Sequence, residues 1–175
     1  MIAAADLHIT YKRPQYRIDN YFNSICIKLN QIVILCNNYD ADLVLAGDIF
    51  DSATVGHKVV NAVMVILRKL KKCAYVIAGQ HDQLNHLEKL TDTAFRTLLF
   101  NEHIKLLTPN KPYVIAAHGT SYNMYGCSFG QIPKEHVTAN SILVIHRSIT
   151  PEKPPFFLTD AISAKEASKL YGIMI

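Results

Sequence analysis

The sequence predicts an α/β fold built on a parallel sheet covered by helices, and three observations carry that prediction. Apolar, strand-like runs at 1–5, 43–46 and 74–78 alternate with stretches of helical periodicity at 18–37 and 58–72. The second and third runs are each closed by a glycine, Gly47 and Gly79. Residues able to bind metals follow directly after the runs: Asp6 and His8, then Asp48, then Gln80. Strand–helix alternation argues a parallel sheet with helices on its faces. In such sheets, ligands gather at the carboxyl ends of the strands.

Each element has a local reason. Residues 1–5 form a short buried strand, followed by the basic loop Lys12-Arg13-Pro14. Over 18–37, Tyr21, Phe22, Ile25, Leu29, Ile32, Val33 and Cys36 recur at helical spacing, with Asp19 as the expected cap. The run 43–46 is aliphatic and ends at a turn. The helix expected over 58–72 is amphipathic, and Lys69, Lys71 and Lys72 sit where a helix dipole favours cations. The strand at 74–78 follows. The second half is richer in strands, with runs at 104–107, 113–117, 124–129 and 142–145, after a short helix over 92–100. Pro109-Asn110 and Gly119 supply turn chemistry, and 151–155 is a proline-bearing loop. Ser163 and Glu166 have capping-box spacing at the head of a helix over 163–170. Residues 171–175 open one further strand. No repeat and no linker divides the chain, so 1–175 is read as a single domain.

Composition sets the bounds. A chain of 175 residues, 50% hydrophobic and 18% charged, is long enough for one domain with a real core. The net charge of +4 permits an anionic partner without proving one. Cys26, Cys36, Cys73 and Cys127 form no CxxC pair and lie among apolar residues, so they read as reduced thiols rather than a zinc or disulfide framework. No charged n-region precedes a long apolar segment, and Lys28, Asn30 and Gln31 break the longest apolar stretch, 25–36. The expectation is a soluble, cytoplasmic protein with no membrane association.

The chemistry lies in the order of the motifs. In extended chain, residues i and i+2 face the same way, so Asp6 and His8 can reach one metal. Asp48 follows a glycine turn and can bridge two ions. Gln80 can offer an amide oxygen. His146, after the run Ile142-Leu143-Val144-Ile145, can offer a ring nitrogen. Two divalent ions ~3.5–4 Å apart can bind phosphate oxygens and activate water for in-line attack. Nitrogen and oxygen donors without thiolate suit manganese, iron or zinc better than calcium. His81 is placed to protonate a leaving alkoxide. Asp82 would orient that imidazole or cap the following turn, and Asp51 would hold a ligand histidine. Singly, each motif is more often chance or an ordinary turn; order, spacing and strand-end placement together point to the site. Lys12, Arg13 and Arg17 are the candidates for contacting backbone phosphates, weighed equally against a solvated loop. Arg147 is a weaker candidate for the same role. His118 is not expected to be a ligand. His57, His86, His103 and His136 read as surface or cap residues, and the tyrosines between 113 and 125 as core or edge packing.

The series Asp6-Leu7-His8, Gly47-Asp48-Ile49-Phe50-Asp51, Gly79-Gln80-His81-Asp82 and His146 resembles the calcineurin-like metallophosphoesterase family. The phrase 47–52, Gly-Asp-Ile-Phe-Asp-Ser, and the segment Asn123-Met124-Tyr125-Gly126 resemble its branch of SbcD-type DNA-repair nucleases and their phage counterparts. The resemblance implies a four-layer α/β/β/α sandwich and a metal-dependent nuclease acting on DNA ends. It implies manganese as the metal, with magnesium, iron or zinc as alternatives. Asp6, His8 and Asp48 would hold one ion; Asp48, Gln80 and His146 would hold the other; His81 would be the acid. The implied partners are DNA, an SMC-like ATPase of the SbcC type and a second copy of the chain, in the host cytoplasm if the gene is a phage's. The sequence departs from the family pattern twice. Gln80 replaces the usual Asn, and no Gly-His-x-His motif follows His146. The domain is therefore read as incomplete at its C-terminus, with an inactive, metal-poor homologue as the alternative. Two other functions are kept open: a small-molecule phosphoesterase, and a non-catalytic subunit of a DNA-repair complex.

Overall fold

Every residue of the strand Leu43–Ala46 is buried, and its side chains divide between two different cores. Leu43 and Leu45 join one apolar cluster while Val44 and Ala46 join another, the period-two consequence of a strand covered on both faces. The computed structural model of the protein describes residues 1–86, 90–117, 119–133, 140–155, 161–170 and 173–175. Four strands, β1 (Ile2–Ala4), β2 (Leu43–Ala46), β3 (Ala74–Ile77) and β4 (Ile104–Leu106), form a wholly parallel sheet in chain order. The helices α1 (Tyr21–Asn38), α2 (His57–Leu67) and α3 (Ala94–Leu98) cover one face of it. Leu29 and Val33, Val59 and Val63, and Phe95 and Leu98 are the apolar stripes they bury there.

The other face meets a second sheet. Strands β5 (Tyr113–Ala117), β6 (Thr120–Cys127), β7 (Ser141–Ile145) and β10 (Ile173–Met174) lie in the order β10-β7-β6-β5, with only the β5–β6 pair antiparallel. Met124, Ile142 and Val144 turn inward against Val44 and Ile77. Tyr125, Cys127, Leu143 and Ile145 turn outward into a third cluster, on which Ile162 packs. A ribbon of β8 (Ser148–Thr150) and β9 (Ala161–Ser163), with α4 (Ala164–Leu170), supplies the outer cover. This is the expected four-layer α/β/β/α arrangement.

Several boundaries differ from the sequence reading, each for a visible reason. Asn20, not Asp19, caps α1: its side chain accepts from the Asn23 N–H. Asp19 is occupied by Arg17 and by the Ser24 hydroxyl. Helix α2 ends at Leu67, so the lysines beyond it do not complement its dipole. They dock on the end of α1 instead: Lys71 N–H donates to Asn37 Oδ1 at 2.8 Å, and Lys72 Nζ lies 3.0 Å from Asp40 Oδ2. Helix α3 is shorter than expected because Thr93 caps it. Strand β6 starts at Thr120, pairing back along β5 from the turn at Gly119. The β8–β9 ribbon was not anticipated. The capping box is present, with Ser163 Oγ accepting from Glu166 N–H and Glu166 Oε2 accepting from Ser163 N–H. All four cysteines are free thiols. His118, His136 and the side chain of His86 lie outside the described residues. No described helix is long and apolar enough to cross a membrane.

Candidate metal centre

The loops that leave β1 and β2 are laced together by their backbones. Asp6 N–H donates to Gly47 O at 3.2 Å, His8 N–H to Asp48 O at 3.0 Å, and Ile9 N–H to Ile49 O at 2.9 Å. A bridge between Ile9 and Phe50 continues the pairing. Asp6, His8 and Asp48 all sit at positive φ, +53°, +43° and +49°. Non-glycine residues held in that region cost of order 1 kcal/mol or more each, and such strain collects at functional sites. Gly47 precedes Asp48 at φ +94°, where only glycine is comfortable, and a side chain there would run into the His146 ring.

Asp82 braces this assembly from within. It is completely buried. Its Oδ1 accepts the Phe50 N–H at 3.0 Å, and its Oδ2 accepts the Ile49 and Gly79 N–H groups at 3.2 and 3.0 Å. The carboxylate thus ties the loop after β3 to the loop after β2. The sequence reading had it orient His81 or cap the next turn; its oxygens instead point inward to backbone donors. Burial pushes its carboxyl up to about 6, against the pull of those three N–H groups.

Asp48 is the hub. Its Oδ1 accepts the His81 N–H at 2.9 Å. Its Oδ2 lies 3.5 Å from His146 Nε2, 3.8 Å from His8 Nε2 and 3.9 Å from His81 Nε2. Asp6 Oδ1 is 3.9 Å from His8 Nε2. His146 arrives from the second sheet, at the end of β7, and its N–H donates to Cys127 O at 3.2 Å. Its Nδ1 faces Ala46 O at 2.8 Å. A carbonyl only accepts, so this contact places a proton on Nδ1 and, in the neutral ring, leaves the Nε2 lone pair available to a metal ion beside Asp48. His81 Nδ1 likewise faces Asp51 O at 3.1 Å, and His8 Nδ1 lies 3.9 Å from Asp51 Oδ1. Burial alone would raise the Asp48 carboxyl, but the His146 ring, the His81 N–H and the imidazole charges bring it below its usual value. Burial alone would lower the His146 ring, yet Asp48 and the Ala46 carbonyl hold it above its usual value.

The donor atoms fit metal ions. Asp6, Asp48 and His146 form one triad and His8, Asp48 and His81 another, with the donor atoms of each within 4.8 Å of one another. Asp48 is common to both. The set is oxygen and imidazole nitrogen, which suits borderline or hard divalent ions. These triads group the residues differently from the partition implied by the family resemblance, which paired Asp6 with His8 and left His81 outside. Gln80 lines the same cleft, of about 540 Å³, together with Arg147, Phe129 and the small side chains of Ala3 to Ala5. Lys12, Arg13 and Arg17 do not line it. Arg17 is held by Asp19 through two bonds of 2.7 Å. Sequence reasoning missed the Ala46 carbonyl that sets the His146 ring. It also missed the close approach of Gly79 to Asp48, although the Gly-before-ligand pattern at 47 and 79 was its visible sign.

A two-sheet α/β sandwich with a carboxylate-centred cluster of Asp and His donors where the sheets meet is a domain able to hold metal ions at its strand ends. Residues 2–161 match the family described as calcineurin-like phosphoesterase, and the chain belongs to that family. Membership implies metal-dependent hydrolysis of phosphoesters. No curated protein matches the chain significantly.

Proposed function

We propose that the protein is a metal-dependent phosphodiesterase that cuts DNA, a nuclease of the SbcD type working with an SMC-like ATPase. The observation that carries the reading is the Asp48 carboxylate, whose Oδ2 lies 3.5–3.9 Å from three imidazole nitrogens at the rim of an open cleft. Asp6, His8, Asp48 and His146 would hold two divalent ions, manganese first among them, with Gln80 beside them. Bound ions of this kind supply Lewis acidity, drawing charge from phosphoryl oxygens and acidifying water.

The chain's own groups do the rest. Asp48 is fixed by the His81 N–H on one oxygen, so its other oxygen keeps a single orientation. His146 is oriented by Ala46 O, and the loops are held by Asp82. His81 has its Nδ1 against the Asp51 carbonyl, which accepts the hydrogen bond of an Nδ1–H. In the imidazolium form, its Nε2–H faces the cleft and can protonate the departing sugar oxygen, a role worth typically 10²–10⁴ in rate.

The test is hydrolysis of linear DNA and of bis(4-nitrophenyl) phosphate during a manganese titration. The expected result is metal-dependent cleavage of both, lost in Asp48→Asn. Cleavage of the small ester alone would make the protein a small-molecule phosphoesterase. Failure on both, with no manganese bound by calorimetry, would make it a non-catalytic subunit.

A further inference from the structure

A second pocket of about 460 Å³ is lined by Thr10, Tyr11, Lys12, Ser52 and Thr54, on the loops that continue from His8 and Asp51, and by Lys58. From it we infer that the site takes a polynucleotide strand and grips the phosphate next to the scissile one. The inference rests on the nuclease reading and names what that reading leaves open, namely how a strand is told from a lone diester.

Thr10 is two residues beyond His8, and Ser52 is one beyond Asp51, so both walls of the pocket are continuations of the loops that carry the metal centre. Two residues of chain span at most about 7 Å, so Thr10 lies within that reach of His8 along the loop. The loops are paired over that stretch by Ile9 N–H to Ile49 O at 2.9 Å and by the Ile9–Phe50 bridge, which fixes the spacing.

The metal cleft is lined by the carboxylates of Asp6 and Asp48, but this pocket carries two ammonium groups and four hydroxyls and no carboxylate among its lining residues. Helix α2 begins at its edge, after Gly56, with no capping side chain and no acidic residue in the first turn, so the helix dipole adds to the same field.

Lys58 Nζ donates to Tyr11 Oη at 3.1 Å and lies 4.7 Å from the centre of the same ring. Tyr11 in turn packs on Phe22, with ring centres 5.0 Å apart. A solvated lysine usually keeps its rotamer freedom, and fixing one carries an entropic cost. Here the ammonium is already aimed, and a tyrosine hydroxyl leaves its charge uncompensated. An anion with several acceptor oxygens is the ligand this chemistry suits. A phosphodiester in a chain supplies one at each step.

The experiment uses the intact chain, wild type and the double variant Lys12→Glu/Lys58→Glu. Both lysines are exposed, so folding is checked only by a thermal melt. Binding of fluorescent single-stranded thymidine oligomers is measured in EDTA over a salt series, which keeps it independent of hydrolysis. The expected result is weaker binding and a salt slope lower by about 1.4, two phosphate contacts at about 0.7 each on a single strand. With manganese, the ratio of oligomer cleavage to bis(4-nitrophenyl) phosphate cleavage should fall at least tenfold. A merely structural effect would lower both rates together. Tyr11→Phe, which keeps the ring and removes the hydroxyl, should show the same changes to a smaller degree. An unchanged salt slope and an unchanged ratio would overturn the inference. If wild type cleaves no ester but the slope still falls in the variant, the strand-binding pocket stands and the nuclease reading fails.

Discussion

Gly79 lies so close to Asp48 that nothing larger than hydrogen fits between them: a methyl group on Gly79 would meet both Oδ1 and the backbone nitrogen of Asp48. Neither neighbour can yield cheaply. The nitrogen belongs to a backbone at positive φ, and Oδ1 already accepts the His81 N–H. Gly79→Ala should therefore destabilise the metal-free protein by about 1–3 kcal/mol, the usual range for overpacking, and should weaken manganese binding. Urea denaturation and calorimetric titration read the two effects. Wild-type values in both would mean that the loop after β3 gives way freely.

What could be read ahead of the structure follows from how local each signal is. The strand Leu43–Ala46 was legible because four apolar residues run into a glycine, and its end placed Asp48 correctly. His146 was legible in the same way, after Ile142 to Ile145. The docking of Lys71 and Lys72 on Asn37 and Asp40 joins residues some thirty positions apart, and periodicity carries no trace of such a contact. Asp19 and Asn20 are both good cap residues. The choice fell to Asn20 because Arg17 and Ser24 engage Asp19, a tertiary outcome. Asp82 looked catalytic beside His81, and only the fold shows it turned inward to three backbone donors.

Asp82 is a test of that bracing role. Asn in its place keeps one acceptor oxygen but sets an amide N–H₂ against at least one backbone donor, leaving a buried N–H unpaired. The expected loss is about 1–3 kcal/mol. The pH dependence has a definite sign. The carboxyl stands at about 6 in the fold against an ordinary 3.8. The folded protein therefore holds this proton more tightly than the unfolded chain. The group's contribution is fully present below about pH 4 and is lost as pH rises through about 6, a change of about 3 kcal/mol. Urea melts in EDTA at pH 4 and pH 7 should show that change in wild type and a flatter profile in Asp82→Asn.

Protons and metal compete at the Asp48–His146 pair. His146 is held above its usual value and Asp48 below its own, so the metal-free centre favours the charged pair. For the metal-free protein, the His146 contribution to stability is present below pH ~6.5 and is lost as pH rises past the raised value. Metal binding runs the other way, because a ligand imidazole must be neutral. Manganese affinity should fall up to tenfold per pH unit once His146 is protonated, and each binding event should release a proton. Calorimetry in two buffers of different ionisation heat measures that release directly. His146→Ala should abolish it, along with much of the affinity.

His81 has two possible tasks, and the leaving group separates them. Its Nε2 lies 3.9 Å from Asp48 Oδ2, close enough to share an ion with His8, while its Nδ1 contact to the Asp51 carbonyl suits an acid. An acid matters most when the departing oxygen is basic. A sugar alkoxide needs its proton; 4-nitrophenolate hardly does. If His81 is the acid, His81→Ala should cut DNA cleavage by about 10²–10⁴, should cost far less on bis(4-nitrophenyl) phosphate, and should leave manganese affinity nearly intact. If it is chiefly a metal donor, both substrates should suffer alike and the calorimetric affinity should drop with them. Measuring the three quantities on one preparation decides between the roles, because the acid reading requires them to diverge and the donor reading requires them to move together.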